Sequence, residues 1–518
     1  MTVQPQASAF AAAYARGEAQ VVWTRLIDDL ETPVSAYLKI GLGQPFAFLF
    51  ESVEGGAWRG RYSFITLKPD LVWRCFGERA EIARDGGVEG GDYQPEALPT
   101  LESLRQLVDA SRIALPPELP PAAAGLFGAI GYDMIRLVEP LGPAKPDALA
   151  LPDGVMTRPS IVAAFDSVAQ EIVLITPVRP SALSAEAAYA QAVQRLAEVQ
   201  AQLAQPLEHG RAARQSDLLL ADAPSTQPPL TSPITREAYC DMVERAKRYI
   251  EAGDIFQVVP SQRFRAPFAL PPFACYRALR RLNPSPFLFF LDFGDFQLSG
   301  SSPEILVRLR DGKVTIRPIA GTRPRGATPE QDLALERELL ADPKERAEHL
   351  MLLDLGRNDV GRAVKLGDKE GQHLERPPGP RVRVTESFSI ERYSHVMHIV
   401  SNVEGDAPEG LDPVDVMLTA LPAGTLSGAP KVRAMQIIDE LETEKRGMAY
   451  AGAAGYISAT GQVDTCILLR TALFKDGMMY VQAGGGVVAD SDPNAEYEET
   501  LHKSRALRRA AEEAWRFA

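Results

Sequence analysis

Cysteine is scarce in this chain of 518 residues: Cys75, Cys240, Cys275 and Cys466 are the whole supply. None stands at CxxC or zinc-finger spacing, which points away from a disulfide scaffold and from a cysteine metal centre. None sits in a Gly-x-Cys-x-Gly elbow either, so the chain lacks the nucleophile of a glutamine amidotransferase. This usage fits a reducing cytoplasm. Positive charge is also in deficit: 55 Lys and Arg against 68 Asp and Glu leave a net charge of −13. The broad basic footprint of a nucleic-acid binder is therefore missing, although a local pocket for a small anion is still allowed. No run of about 18 apolar residues occurs, so no transmembrane helix is expected. The N-terminal stretch Met1–Arg16 has no basic region and no compact apolar run, which argues against a secretory signal. Neither a Gly-x-Ser-x-Gly elbow nor a strand-GxGxxG-helix signature is found.

What is present reads as a mixed α and β chain in two parts. The clearest break is 223–234, APSTQPPLTSPI, whose four prolines continue neither a helix nor a central strand. It divides an N-terminal part, 1–222, from a C-terminal part, 235–518. Thr235 is a good N-cap for a helix whose apolar residues Tyr239, Met242, Val243, Ala246 and Ile250 share one face, and Gly253 suits its end. Short strand-like stretches joined by turns, with helices between them, predict an α+β fold of antiparallel sheets flanked by helices.

Several polar groupings carry chemical possibilities. Glu345 and Glu348 lie three apart on a predicted helix and share a face; Glu496 and Glu499 repeat the spacing, with Lys503 four residues on. Two such faces meeting at one place would form a hard oxygen site for Mg²⁺. Alone, each is a solvated helix face. Three glycine-rich turns, Pro318–Thr322, Gly424–Lys431 and Gln482–Gly486, could aim backbone N–H groups at an anion, the second by opening a helix. His398 sits in an apolar strand, Asp354–Asp359 reads as a polar turn after a helix, and Glu304 in Ser301–Glu304 stands just before a strand. Each has a plain structural reading.

Their order along the chain is more specific than any one of them. Ser301–Glu304, Pro318–Thr322, KERAEHLMLLDLGRNDVGR at 344–362, His398, Gly424–Lys431, Arg470, Gly484–Gly486 and Glu496-x-x-Glu499-x-x-x-Lys503 resemble the motifs of chorismate-utilising enzymes. Leu49–Ser52, Gly60–Ser63 and Gly125–Asp133 make the N-terminal part similar to anthranilate synthase component I. The resemblance implies two packed antiparallel sheets surrounded by helices, around a deep cleft. It implies conversion of chorismate and ammonia to anthranilate and pyruvate with Mg²⁺, the first step of L-tryptophan biosynthesis. By motif position, Glu348 and Glu499 correspond to metal ligands, with Glu345 and Glu496 behind them. Gly321, Thr322, Tyr450, Arg470, Gly484, Gly485, Gly486 and Lys503 correspond to chorismate-binding positions. Glu304 corresponds to the general acid for the leaving hydroxyl, His398 to the residue of the pyruvate-eliminating step, and Thr425 to a neighbour of the ligand.

Two positions separate the relatives. Enzymes that add water carry a lysine base where this chain has Gln257, and aminodeoxychorismate synthases commonly carry a nucleophilic lysine where it has Ala320. Both residues point to direct attack by ammonia. Since the chain lacks an amidotransferase cysteine, a glutamine amidotransferase partner is implied, in a heterotetramer of two large and two small subunits. Glu51, Ser52, Pro286, Phe287, Leu288, Gly455, Tyr456 and Cys466 resemble the feedback site for L-tryptophan. Two alternatives stand beside this reading: a related synthase that stops at an amino intermediate or makes aminodeoxychorismate, and a catalytically silent tryptophan-binding subunit.

Overall fold

The computed structural model describes residues 2–52, 60–84, 91–207, 227–366, 381–393 and 396–518. Two long antiparallel strands, Tyr62–Phe76 and Gly154–Asp166, organise the β-structure. Their register runs from Tyr62 opposite Asp166 to Cys75 opposite Gly154, with an irregularity between Pro69 and Leu71. At one end the pair is flanked by Phe48–Glu51 and Glu171–Val178. At the other end it is flanked by Arg79–Arg84 and Gly125–Ile130.

Two sheets grow from this shared pair. The first continues from Phe48–Glu51 through Phe287–Asp292, Phe296–Ser302, Thr471–Lys475 and Met478–Gly484 to Ser261–Pro267. The second continues from Gly125–Ile130 through Ala453–Ser458, Val463–Ile467, Ile305–Arg310 and Lys313–Ile316 to Val396–Asp406, which Ile319–Pro324 and Val382–Arg392 also join. The expected pair of packed antiparallel sheets is present, and the two are continuous through the shared strands. In each sheet the strands of 1–222 lie together and meet those of 235–518 at one junction, Phe48–Glu51 with Phe287–Asp292 in the first and Gly125–Ile130 with Ala453–Ser458 in the second.

The alternation of side chains along each strand sorts them into layers. Phe48, Phe64, Phe127, Phe289, Leu298 and Leu473 are buried between the sheets. Leu49, Ile65, Leu288 and Phe290 point the other way, under helices Ala7–Ala15, Pro33–Ile40, Ala185–Leu203 and Pro272–Leu282. Helices Thr100–Ala110, Pro343–Leu366 and Pro413–Ala420 cover the second sheet. Among the described residues no helix is long and apolar enough to cross a membrane.

Thr235 caps its helix as expected, its hydroxyl accepting the N–H of Ala238, and Gly253 follows the helix at a φ of 82°. The polar stretch Asp354–Asp359 differs from expectation. It is no turn: the helix runs unbroken from Pro343 to Leu366. Gly356 lets Pro318 pack closely on this helix, because a Cβ there would meet Pro318 at 3.1 Å. Asp359 is buried against Lys431 at 2.7 Å. The Gly424 turn does not open a helix directly; a short 3-10 turn, Gly424–Leu426, comes first and the helix starts at Lys431.

Candidate active site

Chain segments pass from one sheet to the other at two adjacent places, and a cavity of about 760 Å³ lies against them. At the first crossing, Pro303–Glu304 links Phe296–Ser302 to Ile305–Arg310. At the second, Leu468–Arg470 links Val463–Ile467 to Thr471–Lys475. The crossings are tied together: Ser301 N–H donates to the Arg470 carbonyl at 3.2 Å, and Ile467 N–H to the Glu304 carbonyl at 3.0 Å. Arg470 takes a left-handed φ of 49°, a strained backbone for a long side chain. Its guanidinium lines the cavity, and burial lowers its pKa.

Glu304 is 8% exposed. Burial pushes its carboxyl up to about 8, against weaker opposing pulls from the Thr425 hydroxyl and Arg470. Thr425 Oγ1 donates to Glu304 Oε2 at 3.4 Å. At neutral pH this carboxyl therefore holds its proton and can donate it.

His398 is set by a β-bulge. The register between Ile319–Pro324 and Val396–Asp406 shifts between Ala320 and Thr322, where Gly321 adopts a φ of 77°. The bulge turns the Gly321 carbonyl to within 3.2 Å of His398 Nδ1, and Thr322 Oγ1 stands 3.0 Å from the same nitrogen. A carbonyl can only accept, so Nδ1 carries the hydrogen and Nε2 keeps its lone pair. Burial lowers the His398 pKa, which favours this neutral form.

The four glutamates of the two helices line the same cavity. Helix Pro493–Glu513 starts where Asp492 accepts the Ala495 N–H, which puts Glu496 in the first turn. Glu345 is held by Arg323 at 3.0 Å and Glu499 by Lys503 at 2.6 Å. Glu496 Oε1 accepts from Ser491 at 2.7 Å, while its Oε2 is buried with no hydrogen-bond partner. Burial, reinforced by Glu345 and Glu499, raises the Glu348 pKa; burial and Glu499 raise that of Glu496. A carboxylate-rich wall with an orphaned oxygen and mutual repulsion fits a hard divalent cation. Among the described residues no three of these groups already converge on one point. The wall is therefore an open set of donors and not a closed cage.

In the Gly484–Gly486 run one N–H is already engaged within the protein. The Gly485 N–H points inward, 3.3 Å from both the Pro260 carbonyl and the Tyr239 hydroxyl. What matters is the missing side chains. A Cβ would meet Tyr450 Oη at 2.9 Å from Gly484, Glu496 Oε2 at 2.6 Å from Gly485, and Gln257 Nε2 at 2.8 Å from Gly486. The glycines let these three groups close in. Gln257 is buried at the cavity wall with its Oε1 unpartnered, and Lys503 Nζ also donates to the Gly484 carbonyl at 3.0 Å.

The residues predicted for inhibitor binding are brought together only in part. Phe287, Tyr456 and Cys466 face the space between the sheets, where Phe50, Phe127 and Tyr456 form a chain of rings at 6.2 and 5.6 Å. Pro286 immediately precedes this strand, and Ser52 is the last described residue before 53–59. Glu51 and Leu288, opposite each other in register, point to the outer side. There Glu51 accepts from Tyr276 Oη and from Arg280 Nε, the latter at 2.9 Å. Period-two alternation explains why adjacent residues of one motif part company. Gly455 contributes backbone: a Cβ would meet the Asp464 carbonyl at 2.2 Å.

Sequence reasoning missed Arg323, which bridges Glu338, Asp342 and Glu345, and the buried pair Glu442–Arg446 behind the cavity wall. The run Glu442–Arg446 reads as a solvated charged turn, so no local signal marks it.

A chain with this fold and this pocket is a chorismate binding enzyme: that family matches residues 47–509, and the chain belongs to it. More particularly, the chain is 56% identical over 507 residues to anthranilate synthase component 1 of Cereibacter sphaeroides, covering 97% of this chain and 96% of the relative. It is 49% identical to the protein of the same name from Pseudomonas putida, covering 93% of each. The crystal structure of anthranilate synthase component I from Streptococcus pneumoniae superimposes with a TM-score of 0.71 at 35% identity, covering 93% of this chain and 98% of that one.

Proposed function

We propose that this chain is the chorismate-converting component of an anthranilate synthase. It combines chorismate with ammonia to give anthranilate, pyruvate and water. Arg470 pairs with a carboxylate of the substrate as a planar fork, and Tyr450, Gly321 and Thr322 enclose the ring, with Lys503 at the rim. Glu348 and Glu499 would hold Mg²⁺ directly, backed by Glu345 and Glu496, and the ion would withdraw charge from the ring carboxylate. Gln257 accepts an N–H of ammonia and leaves its lone pair free for C2. As the C2–N bond forms, Glu304 gives its proton to the departing C4 hydroxyl, which leaves as water; Thr425 steadies the carboxylate that results, and the new C2 ammonium returns a proton to it. His398 Nε2 then takes the C2 proton as the ring C–O bond to the enolpyruvyl group breaks, and the proton it has gained is given up to the enolpyruvyl methylene, which leaves as pyruvate.

The observation that carries this reading is that Glu304 and His398, both buried, line one cavity, where burial raises the pKa of the carboxyl and lowers that of the imidazole, so that acid and base are kept apart by their surroundings. Gln257 and Ala320 support ammonia over water or an enzyme lysine as the nucleophile. The absence of an amidotransferase cysteine supports a separate glutamine amidotransferase subunit, in a heterotetramer of two large and two small chains. Four free cysteines suit a cytoplasmic setting. The N-terminal part contributes Ser52 to a feedback site for L-tryptophan shared with Phe287, Tyr456 and Cys466.

The test is direct. Purified chain, chorismate, Mg²⁺ and ammonium at high pH should yield fluorescent anthranilate and equimolar pyruvate. An aminated product without pyruvate would replace this reading with the stalled synthase; no consumption of chorismate would leave only the silent tryptophan-binding subunit.

A further inference from the structure

Behind the cavity wall, the buried pair of Arg446 and Glu442 touches four of its pieces at once. Arg446 is 3% exposed and Glu442 6%. Arg446 Nε and Nη2 donate to the two Glu442 oxygens at 3.0 and 2.6 Å. Its Nη1 donates to the Leu426 carbonyl at 2.8 Å and its Nη2 to the Val259 carbonyl at 2.7 Å. Glu442 Oε1 accepts both the N–H and the hydroxyl of Ser261 at 2.8 Å. The guanidinium lies 5.3 Å from the Tyr450 ring centroid and 4.9 Å from that of Tyr132.

Four of these contacts, through Leu426, Val259, Ser261 and Tyr450, lead to the cavity within a residue or two. Leu426 follows Thr425, whose hydroxyl bonds Glu304. Val259 lies two residues beyond Gln257. Ser261 is opposite Gly484 in register. Tyr450 faces the cavity itself. Stability alone is a weak reason for such an arrangement, since a buried ion pair replaced by well-packed neutral groups is often no less stable. Geometry is a stronger one. A planar fork with donors fixed in several directions can register four segments against one another, and a lysine ammonium cannot.

We propose that Arg446 is a positioning residue for amination, oriented by Glu442, which sets Thr425, Gln257, Gly484 and Tyr450 at their spacing around the substrate. This rests on the functional reading above. The experiment compares Arg446→Lys with the unaltered chain, using chorismate, Mg²⁺ and ammonium. The lysine keeps a counter-charge for Glu442, so the fold should persist by circular dichroism and thermal melting. The expected result is a fall in kcat of about 10- to 100-fold, as for a misplacement near 1 Å. It should come with a raised KM for ammonium and a basic limb of the kcat–pH profile displaced upward as Glu304 loses its Thr425 donor. Should Arg446→Lys fail to fold, the uncharged pair R446M/E442Q, whose amide oxygen can still accept from Ser261, gives the same three readings.

A folded variant with unchanged kcat, ammonium KM and pH profile overturns the proposal. So does a loss of activity that only follows the loss of folded protein. If the unaltered chain makes no anthranilate, the functional reading fails and takes this inference with it. An active parent with an indifferent Arg446 variant sinks the inference alone.

Discussion

The cavity and the seam between the sheets are close neighbours, yet they obey opposite rules. At the seam, Phe50, Phe127 and Tyr456 fill space, and rings in contact decide the arrangement. At the cavity, burial is imposed on groups that resist it. It raises the pKa of Glu304, Glu348 and Glu496 and lowers that of His398 and Arg470. Glu304 and Cys466 show how close the two regimes lie: Cys466 is opposite Ile305, the neighbour of Glu304, in the same strand pair. The cavity draws its groups from the crossings at Glu304 and Arg470, from the bulge that sets His398 and from two helices, whereas the seam is made inside the sheets.

The contrast can be broken most severely at Glu304. Glu304→Gln should lower kcat by about 10²–10⁴-fold, the usual worth of a general acid. In the parent, kcat should fall as pH rises through about 8, where Glu304 gives up its proton. Stability should move the other way in the variant. A carboxyl raised in the folded state contributes fully below its unfolded pKa, and that contribution is lost as pH climbs toward 8. Denaturant titrations at pH 8 should therefore find Glu304→Gln more stable than the parent. An equal or lower stability would deny the carboxyl its protonated state.

Next in size is Glu499→Gln. Turnover should collapse while the melting temperature holds, and calorimetry without chorismate should find weaker Mg²⁺ binding. Retained turnover rules out the metal role. Glu496→Gln should be milder, weakening Mg²⁺ by about 10–100-fold as outer-shell changes do.

The seam should answer differently. Phe127→Ala ought to cost about 3–5 kcal/mol of stability, as large buried aromatics do, while kcat per folded molecule stays near the parent value. Unequal loss of kcat would erase the distinction between the regions. Smallest in its effect on turnover is a bulky residue at Ser52, which should relieve inhibition by L-tryptophan and leave kcat intact; undiminished inhibition counts against that site.

Much of the cavity was legible in the sequence, because a helix repeats every three to four residues and Glu345, Glu348, Glu496 and Glu499 follow that rule. Strand alternation was equally available, yet motif reasoning grouped Glu51 and Leu288 with Ser52 and Phe287 although they face outward. Asp354–Asp359 was misread as a turn because its partners, Lys431 and Pro318, lie far away in sequence. The same holds for Arg446, whose surroundings come from Ser261, Val259 and Leu426. Local pattern reveals what a segment prefers; it is silent on what presses against it from elsewhere. The sheet-to-sheet crossings that bring Glu304 to Arg470 belong to that second kind of information.

The pairing that joins the early strands to the second sheet has a consequence for synthesis. Gly125–Ile130 is opposite Ala453–Ser458, more than 300 residues downstream. At about 5–20 residues per second on the ribosome, the earlier strand waits on the order of 15 to 60 s with one edge bare. Such distant pairings also slow folding after release. A nascent chain of this enzyme should be a steady client of chaperones that mask open strands until Ala453–Ser458 emerges.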